Sequence, residues 1–221
     1  GVDLSSLNDG TLTATADVSD LAGNAATQAT DTTTKDATAP TLTVSINDGG
    51  DEKLNAAEDG SVTISGTTSG VEDNQIVSIV ISDGTNTVNT TATVTNNAYS
   101  ITGVDLSSLN DGTLTATADV SDLAGNAATQ ATDTTTKDAT APTIAVTIND
   151  GGDEKLNASE DDSVTISGST SGVEDGQTVT ITISDGSSTV NTTATVSSNT
   201  YSVSGVDLSS LNDGTLTATA D

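Results

Sequence analysis

The side chains able to do chemistry are nearly all carboxylates, and they gather in short loops. The densest stretch is Asn47-Asp48-Gly49-Gly50-Asp51-Glu52-Lys53-Leu54-Asn55-Ala56-Ala57-Glu58-Asp59. It returns at 149–161, where Asp150, Asp153, Asn157 and Glu160 stand in for Asp48, Asp51, Asn55 and Glu58. Asp36 and Asp138 sit in Lys-Asp-Ala-Thr-Ala-Pro, and Asp20 and Asp122 in Ser-Asp-Leu-Ala-Gly-Asn. Glu72-Asp73 and Glu174-Asp175 complete the set. Oxygen donors at this density, on loops loosened by glycine, suit a hard cation that takes six to eight oxygens, and Ca2+ is the candidate. The spacing is not that of an EF-hand, because the third and sixth positions counted from Asp48 are Gly50 and Lys53. Nor is it the glycine-rich nonapeptide of calcium-binding β-helices. A simpler role competes at every position, since Asp and Asn before Gly are ordinary turn formers. The turn role is preferred for Asp9, Asp83 and Asp111, each followed directly by Gly, and it rivals calcium at Glu72, Asp73 and Asp175.

Composition removes most other chemistries. Lys+Arg is 4 against Asp+Glu 32, a formal net charge of −28, with no His, Cys, Met, Trp or Phe and two Tyr. Such a surface repels nucleic-acid phosphates and anionic membranes. Without His or Cys, the usual ligands of zinc, copper, haem and iron–sulfur clusters are missing. Thiol catalysis and Ser-His-Asp catalysis are excluded on the same ground. Paired carboxylates can hydrolyse glycosides, but sugar sites call for aromatic platforms that two tyrosines do not supply. The expectation is no enzyme. No run approaches the roughly 18 apolar residues of a membrane span, so direct insertion of this segment is not expected. The four lysines, Lys35, Lys53, Lys137 and Lys155, fall in polar stretches and are expected to face water.

The elements that must position these loops come from a repeat. Gly-Val-Asp-Leu-Ser-Ser-Leu-Asn-Asp-Gly begins at Gly1, Gly103 and Gly205, a period of 102 residues. That is the size of an autonomous domain and too long for a solenoid turn. Pro40 and Pro142 follow the polar Lys-Asp-Ala-Thr-Ala runs and mark junctions. The frame is then 1–36 as the end of one module, 37–138 as a complete module and 139–221 as the first part of the next. Within the complete module, apolar and polar residues alternate, the strand signature. Inward faces read Leu42/Val44/Ile46, Val62/Ile64, Val77/Ile79/Ile81, Val88/Ala92/Val94, Tyr99/Ile101 and Leu114/Ala116/Ala118/Val120, with a last strand over 127–136. The Leu106-Ser107-Ser108-Leu109 stretch reads as a helical turn. About seven short strands per hundred residues, without the Cys…Trp…Cys hallmark, predict tandem all-β, immunoglobulin-like Greek-key sandwiches. The core is aliphatic with one Tyr, and the complete module carries about −12 of charge whose self-repulsion opposes compaction.

Sandwich topology sends the 48–58 loop and Asp138 to one end of a module. It sends Asp36, Glu72, Asp73 and Asp122 to the other. Carboxylates so gathered repel unless a cation neutralises them. Asp138 with Glu174 and Asp175 of the following module is expected to form a similar cluster.

The motifs Val104-Asp105-Leu106-Ser107-Ser108-Leu109-Asn110-Asp111-Gly112-Thr113-Leu114, Asp122-Leu123-Ala124-Gly125-Asn126, Lys137-Asp138-Ala139-Thr140-Ala141-Pro142-Thr143 and Asn55-Ala56-Ala57-Glu58 resemble the bacterial Ig-like tandem extender repeats of giant, type I-secreted adhesins of the repeats-in-toxin kind. The resemblance spans essentially the whole chain. It implies an extracellular spacer at the bacterial cell surface, neighbouring repeats of the same chain as partners, and calcium at and near module junctions. On this chain those sites fall on Asp36, Asp138, Asp20, Asp122 and the 48–58 loop. Where the family commonly has Asp-Asn/Thr-Thr-Ala-Pro, this junction has Lys-Asp-Ala-Thr-Ala-Pro. The alternative is a self-assembling filament or S-layer-like fibre, in which residues 1–36 of one copy complete 139–221 of another, head-to-tail, by strand addition.

Overall fold

The computed structural model describes residues 1–221, and the chain resolves into two compact units, Gly1–Ala139 and Thr140–Asp221. The first unit opens with β1 (Gly10–Ala16) and β2 (Ala29–Lys35), an antiparallel hairpin forming its own two-stranded sheet. It continues with β3 (Thr41–Leu42), β4 (Ser45–Asn47), β5 (Lys53–Leu54), β6 (Val62–Ser69), β7 (Ile76–Ser82), β8 (Thr87–Thr93), β9 (Ala98–Val104), β10 (Gly112–Asp119) and β11 (Ala131–Lys137). One sheet runs β5-β11-β10-β7-β8, and in the other β6 pairs with β3, β4 and β9. Threonine and the branched aliphatics favour this pleated, half-buried setting. Val77, Ile79, Ile81, Leu114, Ala116 and Ala118 on one sheet and Ile64 and Tyr99 on the other belong to a single core cluster. The alternate residues of β7 face outward, with Ile76 53% exposed against 0% for Val77. This is the all-β immunoglobulin-like sandwich that the period-two pattern called for.

Three details differ from the sequence reading. The expected first strand is split into β3 and β4, although both keep one register against β6. At the break, Tyr99 Oη donates to the Thr43 carbonyl at 2.5 Å. Gly66 lies against both groups, and a Cβ there would stand 2.0 Å from that carbonyl oxygen. The last strand begins at Ala131 and not at Ala127, because Ala127 makes only an isolated bridge to Ser121 across the loop. The short β5 was not foreseen, and it pairs in parallel with the end of β11. A tight turn forms at Leu106–Leu109 in place of the expected helical one, with Leu109 N–H donating to the Leu106 carbonyl at 3.0 Å and both leucines buried.

The lysines need the largest correction. Lys137 is 4% exposed, and its ammonium lies 3.2 Å from Asp59 and 3.2 Å from Asp111. Burial alone would lower its pKa, but the hydrogen bonds that its ammonium donates to Asp111 and Asp59 outweigh that and raise it. Lys35, half-buried, pairs with Asp9 at 2.9 Å. Only Lys53 and Lys155 are exposed as expected. Asp9 and Asp111 therefore do more than shape turns.

In the second unit β12 (Thr143–Asn149), β13 (Val164–Ser171) and β16 (Thr200–Val206) form one sheet, and β14 (Thr178–Ser184), β15 (Thr189–Thr195) and β17 (Thr217–Ala220) the other. Val164, Ile166, Val179, Ile181, Ile183 and Val196 form its core. Here the first strand is unbroken, while Tyr201 Oη still donates to the Ala145 carbonyl at 2.7 Å.

Candidate functional site

The acidic loop between β4 and β6 is built from local hydrogen bonds. Asp48 accepts the Gly50 N–H at 3.1 Å on one oxygen and the Thr135 hydroxyl of β11 at 2.9 Å on the other. Asp51 accepts the Lys53 N–H at 3.1 Å. Asn55 and Glu58 form a reciprocal cap, in which Asn55 Oδ1 takes the Ala57 N–H and Glu58 takes the Asn55 N–H at 3.0 Å. Glu58 Oε1 also lies over Gly49, where a Cβ would come within 3.3 Å of it. That glycine has φ +83°, a conformation side chains disfavour, so the loop brings a carboxylate over bare backbone. The second unit repeats this, with Asp150 accepting from Gly152, Asp153 from Lys155, Glu160 from Asn157, and Glu160 set over Gly151.

Asp138 lies beside this loop, since its N–H donates to the Leu54 carbonyl at 2.9 Å. At the opposite end of the sandwich, Glu72 accepts the Leu123 N–H at 2.8 Å and Asn126 Nδ2 donates to the Asp36 carbonyl at 3.3 Å. The structure therefore gathers the 48–58 loop with Asp138, and Asp36 with the loops carrying Glu72 and Asp122. Asp122 and Asp20 each hold their own loop through Asn126 and Asn24, and those side-chain hydrogen bonds lower both carboxyl pKa values. Asp73 and Asp175 are drawn toward neighbouring turns, accepting the Asn96 and Ser198 N–H groups at 2.8 and 2.7 Å. Nowhere do three acidic side chains stand together as a ready metal cage. The donor set fits a hard cation in kind, as carboxylate and carbonyl oxygens with no nitrogen or sulfur ligand, but each donor also has a turn to hold.

Several structural carboxylates were missed in the sequence. Asp133 of β11 accepts the Ile46 N–H at 2.8 Å, joining the two sheets. Asp59 is the buried partner of Lys137. Asp83 accepts the Asn86 N–H of its own turn and also the backbone and side-chain N–H of Asn110, and the Asn86 bond first, then that of Asn110, holds its carboxyl well below the usual range. The signal for Asp133 and Lys137 was parity: Ala131, Asp133, Thr135 and Lys137 share the inward face of β11.

No protein-family model matches the sequence, and no curated protein does. Solved structures do. A tetra-tandem repeat from the extending region of a large adhesion protein is 40% identical over 100% of this chain, with a TM-score of 0.46. A bacterial immunoglobulin-like domain from the M. primoryensis ice-binding adhesin is 31% identical, and the match covers 100% of that domain and 46% of this chain, with a TM-score of 0.31. The chain belongs to the bacterial immunoglobulin-like repeats of large adhesins. That assignment rests on sequence identity, 31% over the whole of that domain and 40% over the whole of this chain. A further match is described as a Ca2+-stabilized adhesin that helps an Antarctic bacterium reach out and bind ice, 29% identical over 96% of this chain with a TM-score of 0.42. The chain spans 54% and 55% of the lengths of the adhesion-protein and Antarctic structures. The matched repeats belong to large surface adhesins, in one case to the extending region. No helix here is long and apolar enough to cross a membrane.

Proposed function

We propose that this chain is a calcium-stiffened stretch of the extender in a large bacterial surface adhesin, holding a distal binding region away from the cell. The observation that carries the reading is the gathering of oxygen-rich loops at the ends of the sandwich. Asp36 meets the Asn126 loop at one end, and Asp138 meets the 48–58 loop at the other. These ends belong to a chain of net charge −28, and two of its four lysines are already engaged in ion pairs. Asp48, Asp51, Asn55, Glu58 and Asp138, with Asp36, Asp122 and Asp20 at the opposite ends, would hold the ion. In the second unit Asp150, Asp153, Asn157 and Glu160 would do so, and Asp73 in the first unit and Asp175 in the second are further donors, each within its own unit. A bound divalent cation supplies charge neutralisation there. The protein's own share is to present oxygens on loops fixed by local turns, so that ordering them on binding costs little. The description of a 29% identical adhesin as calcium-stabilised supports the same reading.

A marginal module holds about 5 kcal/mol. One site with calcium at about a hundred times its dissociation constant adds roughly 2.7 kcal/mol. The test is thermal melting and small-angle scattering in calcium and then in EDTA. The expected result is a higher melting temperature and a narrower spread of particle lengths with calcium. Identical curves in the two conditions would remove calcium from the proposal and leave a plain string of sandwiches. Asp48→Asn with Glu58→Gln should weaken the calcium response, while the melt in EDTA stays close to that of the parent chain.

A further inference from the structure

We infer that Asn89 and Asn191 are attachment points for N-linked sugar. Asn89-Thr90-Thr91 and Asn191-Thr192-Thr193 match the Asn-Xaa-Thr acceptor pattern with a middle residue other than proline. In a threonine-rich chain that pattern arises readily by chance, so the weight falls on where the structure puts it. Both asparagines lie in the middle of an exposed edge strand, β8 in the first unit and β15 in the second. Asparagine is a poor strand residue. Elsewhere in the chain it has turns and loops to hold: Asn24 and Asn126 bind Asp20 and Asp122, Asn86 and Asn110 bind Asp83, and Asn55 caps its helical turn. Asn89 has no such task, because its side chain points outward and makes no hydrogen bond. Asn191 accepts only from Thr182, through Oδ1 at 2.9 Å, which leaves its Nδ2 toward solvent.

The two copies of the module add a second observation. Residues 87–94 and 189–196 both read Thr-Val-Asn-Thr-Thr-Ala-Thr-Val. On either side the exposed residues drift, with Thr85, Asn86, Thr95 and Asn96 becoming Ser187, Ser188, Ser197 and Ser198. On the adjoining strand Ile76, Ser78 and Val80 become Thr178, Thr180 and Thr182. The edge strand itself carries no charge and no proline, the usual guards against pairing with another edge. Near-identical modules in series make such pairing a particular hazard, and a sugar in the middle of the edge blocks it.

The reaction is a transfer from an activated sugar. Asn Nδ2 forms a bond to the anomeric carbon as the bond from that carbon to the diphosphate oxygen breaks. The diphosphate leaves with the electron pair, and one amide proton passes to the transferase. No oxidant or reductant is needed. The donor is a nucleotide diphosphate sugar or a lipid diphosphate sugar, which share this chemistry. A third match, Asn157-Ala158-Ser159, serves as an internal control. Its amide is committed to Glu160 at 2.6 Å and its Oδ1 to Ser159, so it should stay bare.

The test is glycopeptide mass spectrometry on the adhesin recovered from the surface of cells that make it. Sugar is expected on Asn89 and Asn191 and not on Asn157. A single hexose identifies a nucleotide-sugar donor, and an oligosaccharide a lipid-linked one. Asn89→Gln and Thr91→Ala should each abolish modification of the first module, whereas Thr90→Ala should keep it. Bare Asn89 and Asn191 in the surface protein, or sugar that survives Asn89→Gln, would overturn the assignment. Melting in calcium, read on the same samples, reports separately on the stiffening proposal.

Discussion

Residues 1–41 and 103–143 are the same sequence in two settings. In both, the strands pair in the same register, Leu12 with Thr33 and Leu114 with Thr135. The loop bridges also match, Ser19 with Ala25 and Ser121 with Ala127. The surroundings do not. β10 is flanked by β7, and β11 by β5, and Leu106, Leu109 and Leu114 are 0%, 3% and 0% exposed. Within these 221 residues no third strand joins β1–β2, and Leu4 and Leu7 are 45% and 44% exposed. Local sequence therefore sets the hairpin, its turn chemistry and its register. The core is set by what packs against it, as expected where tertiary contacts outweigh propensity.

Paired substitutions in the two copies break this comparison most directly. Leu114→Ala should cost about 3 kcal/mol or more, because it opens a cavity in a closed core. Leu12→Ala, in the same sequence but half-buried within these 221 residues, should stay within about 0.5 kcal/mol when this stretch is melted by itself. Urea melts of the two variants measure the difference. Equal losses would mean that the first hairpin is packed as tightly as the second, and the contrast of settings would fail.

The lysines sharpen the comparison with a smaller effect. Lys137 bridges Asp59 and Asp111 with its side chain 5% exposed, while Lys35 reaches Asp9 with 19% exposed. Removing Lys137 leaves the Asp59 carboxylate buried and unpaired, a loss of about 3 kcal/mol in a closed interior. Asp111 is one-third open to water, which reduces the expected loss to about 2 kcal/mol. Lys35→Ala should cost less than about 0.5 kcal/mol. The double variant Lys137→Met with Asp59→Leu should recover most of the stability, because no buried charge is left behind. If it melts as low as Lys137→Ala, the pair is not the source of the loss.

These contrasts also explain what the sequence reveals. Alternation identifies the faces of β7 and β10 because one face is wholly buried and the other is wet. The turns are legible because Asp-Gly and Asn-Asp-Gly act locally. The acidic loops are legible as oxygen-rich for the same reason. The partner of Lys137 is not legible, since Asp59 lies far away along the chain and only the closure of β5 on β11 brings it near. Parity along β11 did point Lys137 inward, but a lysine ending a threonine run reads as loop. The bond of Tyr99 to the Thr43 carbonyl across Gly66 is again a tertiary event, and since the equivalent bond of Tyr201 leaves β12 whole, it does not account for the split between β3 and β4. The metal donors fall between these cases: their loops are placed as expected, while the side chains keep their turn bonds.

The smallest effect reverses the contrast. Asp20 and Asp122 occupy the same place in the two copies, one exposed and the other 4% exposed. Burial alone would raise the Asp122 carboxyl above that of Asp20. Yet both are lowered from 3.8, in each case first by the side-chain hydrogen bond of the Asn four residues on. Asp9 and Asp185 are lowered further, to about 2, by the Thr38 hydroxyl and Lys35 ammonium at Asp9 and at Asp185 by the N–H of Asn212 first and then those of Ser188 and Ser187 in its own turn. A carboxyl lowered in the folded chain contributes stability that is complete above its unfolded value of 3.8 and fades as the pH falls through the folded value. These groups therefore leave stability flat from about pH 5 to pH 8 and weaken the loops only in stronger acid. Carboxyl titration by NMR should find Asp20 and Asp122 both below 3.8 despite their different burial. A midpoint for Asp122 above 3.8 would show that packing reaches into the loops as well as the strands, and the division between local turns and tertiary core would have to be redrawn.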